Sequence, residues 1–108
     1  MNAAAGAALV WCPFGTVEDA RAAIAAVLDE GLAACANILP GVESHYVWQG
    51  AREQAGEVGV LFKTNCERLG NLVARLDALH PYDQPSILGW RCDVASEATL
   101  VWLGGLGE

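Results

Sequence analysis

Lysine occurs once, at Lys63, and histidine only twice, against thirteen Asp+Glu. The six Lys+Arg leave a formal charge of −7 and a pI near 4.6. Nucleic-acid binding needs a positive surface that displaces counterions, so nucleic acid is excluded as a partner. An anionic membrane surface is disfavoured for the same reason, while a cationic partner or a metal ion suits the charge. No C-x-x-C occurs among Cys12, Cys35, Cys66 and Cys92, which excludes a zinc knuckle and a thioredoxin-type motif and leaves reduced thiols as the expected state. A Gly-rich phosphate loop, a nucleophile elbow and an H-E-x-x-H helix are all missing, so catalysis is not expected. Met1 to Cys12 lacks a positively charged start, and the apolar-rich window Ala20 to Ala36 is broken by Arg21, Asp29, Glu30 and Gly31. Neither a secretory signal nor a membrane span is expected, and a cytoplasmic location follows.

Apolar residues are abundant, at 54% of 108 residues with four Trp. That is enough for one compact domain over 1–108, with residues 1–6 as a frayed tail, and too short a chain for two. It is also more apolar surface than one small core needs, which points to burial between subunits.

Ala7 to Cys12 reads as a buried strand ended by Pro13 and Gly15. Thr16 with Asp19 forms a capping box, Val17, Ala20, Ile24, Val27 and Leu28 share a helical face, and Gly31 stops the helix. Leu32 to Trp48 is extended with a bulge at Pro40-Gly41, and beyond it Val42, Ser44, Tyr46 and Trp48 alternate with their neighbours. Residues 49–56 mark a hairpin connection, and Glu57 to Thr64 is the third strand. Thr64 and Glu67 give a second capping-box pattern ahead of the stripe Leu69, Leu72, Val73, Leu76, Leu79, which must end near His80 because of Pro81. Ser86 to Val94 reads as a fourth strand and Ser96 to Leu103 as a closing helix. The order β-α-β-β-α-β plus a terminal helix predicts an α+β, ferredoxin-like sandwich with both main helices on one face of an antiparallel sheet ordered 4-1-3-2. The long second strand lies at an edge and invites another chain.

Leu32-Ala-Ala-Cys35-Ala-Asn37-Ile-Leu-Pro40-Gly41, Ser44-x-Tyr46-x-Trp48-x-Gly50, Glu57 leading into Lys63-Thr64, and His80-Pro81-Tyr82-Asp83-x-Pro85 together resemble the CutA divalent-cation tolerance family. The match spans roughly Leu9 to Leu103. Ser86 and Thr99 depart from the pattern, standing where an acid and an aromatic are usual. The resemblance implies a ferredoxin-like subunit, a homotrimer, a cytoplasmic setting and a link to tolerance of copper and other divalent ions, with no obligatory cofactor.

Soft thiolates and imidazoles suit copper. The topology puts Cys12, His80 and Asp83 at one end of the sheet, and these with Cys35 form the candidate metal-ligand set. Cys35 begins strand 2 at the other end with Cys66 and Cys92, so Cys12 and Cys35 should not chelate one ion within a subunit. Each has a plainer reading: Cys35, Cys66 and Cys92 as packing or surface residues, His80 as a polar helix terminus, His45 as a surface residue. Ser44 and His45 point to opposite faces of a strand and make no catalytic couple. Tyr46, Trp48, Lys63 and Tyr82 are candidates for an inter-subunit cleft or interface, with Trp90 as a packing aromatic. Two functions follow: a non-enzymatic homotrimer binding copper or another divalent cation, or a trimeric signalling scaffold whose clefts take a small anion or a protein partner.

Overall fold

A computed structural model of the chain describes residues 6–107. Its elements run β1 (Ala7–Phe14), α1 (Val17–Asp29), β2 (Cys35–Trp48), β3 (Ala51–Asn65), α2 (Leu69–Leu79), β4 (Leu88–Arg91) and α3 (Glu97–Gly104). The four strands form one antiparallel sheet in the order β2-β3-β1-β4, the arrangement expected from the element pattern. Of the expected tail, residues 1–5 lie outside the described residues; the Gly6 carbonyl accepts the Cys66 N–H at 3.1 Å.

Period-two alternation sorts the sheet into two faces. Val10, Cys12 and Phe14 of β1 join Val60 and Phe62 of β3 on the face that carries α1 and α2, where Ala20, Ala23, Val27, Leu72 and Leu76 complete the core. Fully burying each large apolar side chain contributes about 1.5–3 kcal/mol. The opposite face bears Leu9, Trp11 and Pro13 beside Glu57, Gly59, Leu61 and Lys63, and α3 meets it at the end marked by Ala7 and Asn65. A methyl group on Gly59 would run into the Trp11 indole, so a glycine in β3 is what lets that ring lie flat across the strand.

Thr16 Oγ accepts the Asp19 N–H at 3.1 Å, the expected cap of α1, and Gly31 at φ +70° ends that helix. Pro40-Gly41 forms the expected bulge: the register shifts between Leu39↔Gly59 and Val42↔Glu57, with Gly41 at φ +72°. Four expectations change. β1 continues through Pro13 and Phe14, since β4 pairs only with Ala8–Trp11 and a proline is tolerated where β1 has a partner on one side alone. Residues 51–56 belong to β3, and the connection is only Gln49-Gly50, both with positive φ, as a tight two-residue hairpin turn demands. The fourth strand is four residues long, not nine: Leu88–Arg91 pairs with Ala8–Trp11, while Ser86 before it lines the cleft. Thr64 caps nothing: its hydroxyl donates to the Leu32 carbonyl at 2.8 Å, and α2 begins at Leu69 without a side-chain cap.

Asn65 takes the place of a cap at that corner. Its Oδ1 accepts the Arg68 N–H at 3.0 Å, and its Nδ2 donates to the Leu103 carbonyl at 2.8 Å, so one side chain of 1% exposure ties β3 to both the start of α2 and the end of α3. Asn65→Ala removes both bonds and leaves only 3.2 Å backbone bonds at each partner, Arg68 N–H to the Asn65 carbonyl and Leu106 N–H to the Leu103 carbonyl, so it should lower stability by about 1–3 kcal/mol. Urea unfolding measures this; an unchanged midpoint would show that the corner holds without Asn65.

Candidate functional site

A cleft of about 780 Å³ lies on the open face of the sheet. β1 contributes Trp11 and Pro13 as its floor, the β2–β3 hairpin contributes Tyr46, Trp48, Glu53 and Glu57, and the loop after α2 contributes Tyr82, Asp83 and Ser86. The bulge sets this up: with Val42 opposite Glu57, Ser44, Tyr46 and Trp48 fall on the same face as Glu53 and Glu57.

The wall formed by the loop depends on His80. Pro81 forces His80 out of the helical region, to φ −69° and ψ 135°, and turns its ring back onto the core. There it stacks on Phe14 with centroids 4.4 Å apart and planes 12° from parallel, at 7% exposure. A carbonyl can only accept and a backbone N–H can only donate, so the two ring contacts fix the tautomer. Nε2–H donates to the Pro13 carbonyl at 2.8 Å, and Nδ1 accepts the Tyr82 N–H at 3.2 Å. Tyr82 then passes over Gly15, where a methyl group would come within 2.9 Å of its oxygen, and donates its hydroxyl to Glu57 Oε2 at 3.0 Å. Burial, that bond to Glu57 and the nearby charges of Glu57, Tyr46 and Asp19 push the Tyr82 phenol up to about 12.

Three carboxyl side chains, Glu53, Glu57 and Asp83, line the cleft, and none of its lining residues is Lys or Arg. Negative charge against aromatic walls draws cations and repels anions. Lys63 is six residues from Glu57 on the same face of β3, roughly 20 Å along the strand, opposite Cys35 and Leu9. The expected cleft lysine is therefore absent from the site.

The expected metal ligands separate. Cys12, His80 and Asp83 do share one end of the sheet, but not one space. Cys12 is fully buried on the helix-bearing face, where burial and then the Glu57 charge push its thiol up to about 12 from 9.0. Both ring nitrogens of His80 are committed to backbone groups, and Asp83 stands in the cleft on the other face. Cys35 lies at the opposite end beside Asn37, with its sulfur 3.8 Å from the amide oxygen. Among the described residues no three His, Cys, Asp or Glu side chains converge to hold an ion. Tyr46, Trp48 and Tyr82 do meet in the cleft, while Trp90 lies across from Leu9 on β4 and His45 pairs with Glu43 at 2.7 Å, away from Ser44. Trp11, Glu53 and the partnership of Glu57 with Tyr82 escaped sequence reasoning. A tryptophan and a glycine in adjacent central strands was the available signal for Trp11.

Two outcomes follow. In the folded protein Cys12 should resist alkylation at neutral pH and become reactive on unfolding, as peptide mass spectrometry would show; labelling in the native state would contradict its burial. The Tyr82 phenol should ionise only near pH 12. Because its folded value lies above the ordinary 10.0, its contribution to stability is complete below pH 10 and is lost as pH rises toward 12. Tyrosinate absorbance compared with Tyr82→Phe measures this, and Glu57→Gln should bring the transition down.

A sequence model of the family described as CutA1 divalent ion tolerance protein matches residues 8–105. The divalent-cation tolerance protein CutA of Yersinia pestis strain Pestoides F is 37% identical over 97 residues, covering 90% of this chain and 82% of that protein. Among solved structures, CutA from Xylella fastidiosa superposes with a TM-score of 0.86 at 33% identity, covering 91% of this chain and 94% of that one. The divalent cation tolerance protein of Thermus thermophilus gives 0.84 at 36% identity over 90% and 94%. Fold, motif order and sequence agree over nearly the whole chain, which belongs to the CutA1 divalent ion tolerance family.

Proposed function

We propose that the protein is a non-enzymatic homotrimer of divalent-cation tolerance, working in the cytoplasm, whose acidic aromatic cleft meets the cation. The observation that carries this is the lining of the cleft: Glu53, Glu57 and Asp83 among Trp11, Tyr46, Trp48 and Tyr82, with no basic side chain. The name shared by the family and its curated relatives, divalent-cation tolerance, supports the choice of ligand. Copper is the first cation to test, taken as cargo and not as a resident cofactor.

The cation would enter with part of its hydration shell, since three carboxylates leave most of a divalent ion's coordination to water. Glu57 is the oriented acceptor, fixed by the Tyr82 hydroxyl; Asp83 and Glu53 add charge from two sides. Cys12 and His80 act from beneath: Cys12 as core, His80 as the brace that sets Tyr82. Cys35 stays on the open face, outside the cleft. An anionic ligand finds no cation in this cleft, which weighs against the anion-binding form of the scaffold alternative.

Assembly follows from surface left over. The β2–β3 hairpin stretches the subunit to 46 Å against 26 and 22 Å, and its tip exposes Val47 at 73%. Leu88 and Trp90 at the β4 edge are exposed as well, apolar side chains of the kind that subunit interfaces bury. In a closed trimer each hairpin lies against a neighbouring sheet, and each cleft is completed by that neighbour.

Native mass spectrometry of reduced protein, with and without Cu²⁺ or Zn²⁺, tests both parts. The expected result is a mass of three 11.3 kDa chains with whole-number cation uptake that falls in Glu57→Gln and Asp83→Asn. A monomer overturns the assembly, and uptake unchanged in both variants overturns the cleft.

A further inference from the structure

The carboxylates of the cleft suit any cation, but its rings have no part in holding a hydrated metal ion. Tyr46, Trp48 and Tyr82 line the cleft at 42%, 41% and 41% exposure, large apolar surface kept in contact with solvent. Trp11 lies against Gly59 as the floor, at a place where any side chain on the strand would collide with its six-membered ring. Rings and acids follow a set order along the hairpin. Glu53, Ala55 and Glu57 share one face of β3, which places the two acidic residues roughly 13 Å apart along the strand. Tyr46 stands directly across from Glu53, and the Tyr82 hydroxyl donates to Glu57 at 3.0 Å, so each acid has a ring at its side. Between the two pairs Ala55 faces Ser44, and these short side chains leave a trough.

We infer that the cleft takes a linear polyamine, an aliphatic chain with two or more ammonium groups, laid along β3 with one ammonium at Glu53 and the next at Glu57. An ammonium group held against a ring face gains cation–π attraction, and the methylenes between two such groups bury against apolar walls. A divalent ion neutralises the acids and leaves four rings in water, while a compact quaternary ammonium covers rings and meets one acid of the three. An elongated cation with separated charges uses Glu53, Glu57 and Asp83 together with the rings around them. Tyr82 occupies Oε2 of Glu57, which leaves Oε1 to accept from an ammonium group. The 780 Å³ of the cleft falls within the roughly 300–1,000 Å³ of small-molecule sites.

This inference rests on the cleft of the proposed function and names an organic cation for it, so the test separates the two. Reduced protein is titrated calorimetrically with spermidine and, in parallel, with N-acetylputrescine, which carries a single ammonium. Spermidine should bind saturably, about tenfold or more tighter than the singly charged amine, and weaken as salt rises. Glu53→Gln and Trp48→Leu should each cost about tenfold in spermidine affinity, whereas Asp77→Asn, an acid on α2 outside the cleft, should cost nothing. Tryptophan fluorescence of the wild type should shift on saturation, a readout that needs no variant to fold. Equal affinity for the two amines, absence of saturable spermidine binding, or undiminished binding in either cleft variant overturns the inference. Trp48→Leu should keep its Cu²⁺ uptake, since a metal ion makes no use of the ring. Cu²⁺ uptake with no spermidine binding removes the polyamine alone; spermidine binding with no Cu²⁺ uptake removes the divalent-ion reading and leaves this one standing.

Discussion

The imidazole of His80 is where the core and the cleft are joined. It stacks on Phe14, closes the end of β1 through the Pro13 carbonyl, and receives the Tyr82 N–H on its other nitrogen. Tyr82 can reach across Gly15 to Glu57 only because that ring has already fixed the backbone of the loop. A histidine between a helix and a proline often does no more than meet the last carbonyls of its helix; here the ring turns away from them and links two layers. The loop therefore inherits the rigidity of the sheet, and the cleft wall it forms is ordered without any contact from the opposite side. A charged carboxylate on an open surface ordinarily loses its orientation to solvent, and the phenol of Tyr82 is what prevents this for Glu57.

The two faces of the sheet meet different demands. One is sealed by α1 and α2 and packed with Val10, Phe14, Val60 and Phe62. The other carries Leu9, Trp11 and Leu61, with α3 at its Asn65 end and the cleft at the opposite end, and β4 adds Leu88 and Trp90. An antiparallel sheet tolerates one wet face when that face is polar; this one is mixed, apolar along its middle and acidic at one end. Like charge at the acidic end opposes stacking of one such face on another, while the net charge of −7 works against open-ended pairing along the long edge hairpin.

Most of this architecture was legible in the sequence because helices and buried strands carry strong periodic signals. The stops at Gly31 and Pro81, the bulge at Pro40-Gly41 and the sheet order follow from residues with narrow conformational choices. The polar stretch Arg52-Glu53-Gln54 read as a connection because both sides of the hairpin face solvent there, and a strand with no buried side shows no alternation. Thr64 and Glu67 matched a cap by spacing, but Thr64 faces inward and spends its hydroxyl on Leu32. Tyr46 and Trp48 line the cleft together because period two puts them on one face. The ligand set failed as a group for the same geometric reason: Cys12 and Asp83 share an end of the sheet yet lie on opposite faces, a distinction that chain order alone does not make. Glu57 and Tyr82, 25 residues apart, become partners only through the fold around His80.

The two ends of β1 anchor different parts of the molecule. At Pro13 the strand meets carboxylates and phenols on the open face, with its own cysteine turned inward and kept protonated by burial. At Ala7 its carbonyl accepts the Cys92 backbone N–H and the Cys66 thiol, which ties the start of the strand to the residue after β4 and to the turn before α2. A strand whose backbone pairs on both sides holds these ends at a fixed separation, and the side chains between them on the helix-bearing face, from Ala8 to Phe14, are close-packed. The floor of the cleft is therefore as rigid as the core beneath it, because Trp11 and Pro13 belong to the same strand as Val10, Cys12 and Phe14.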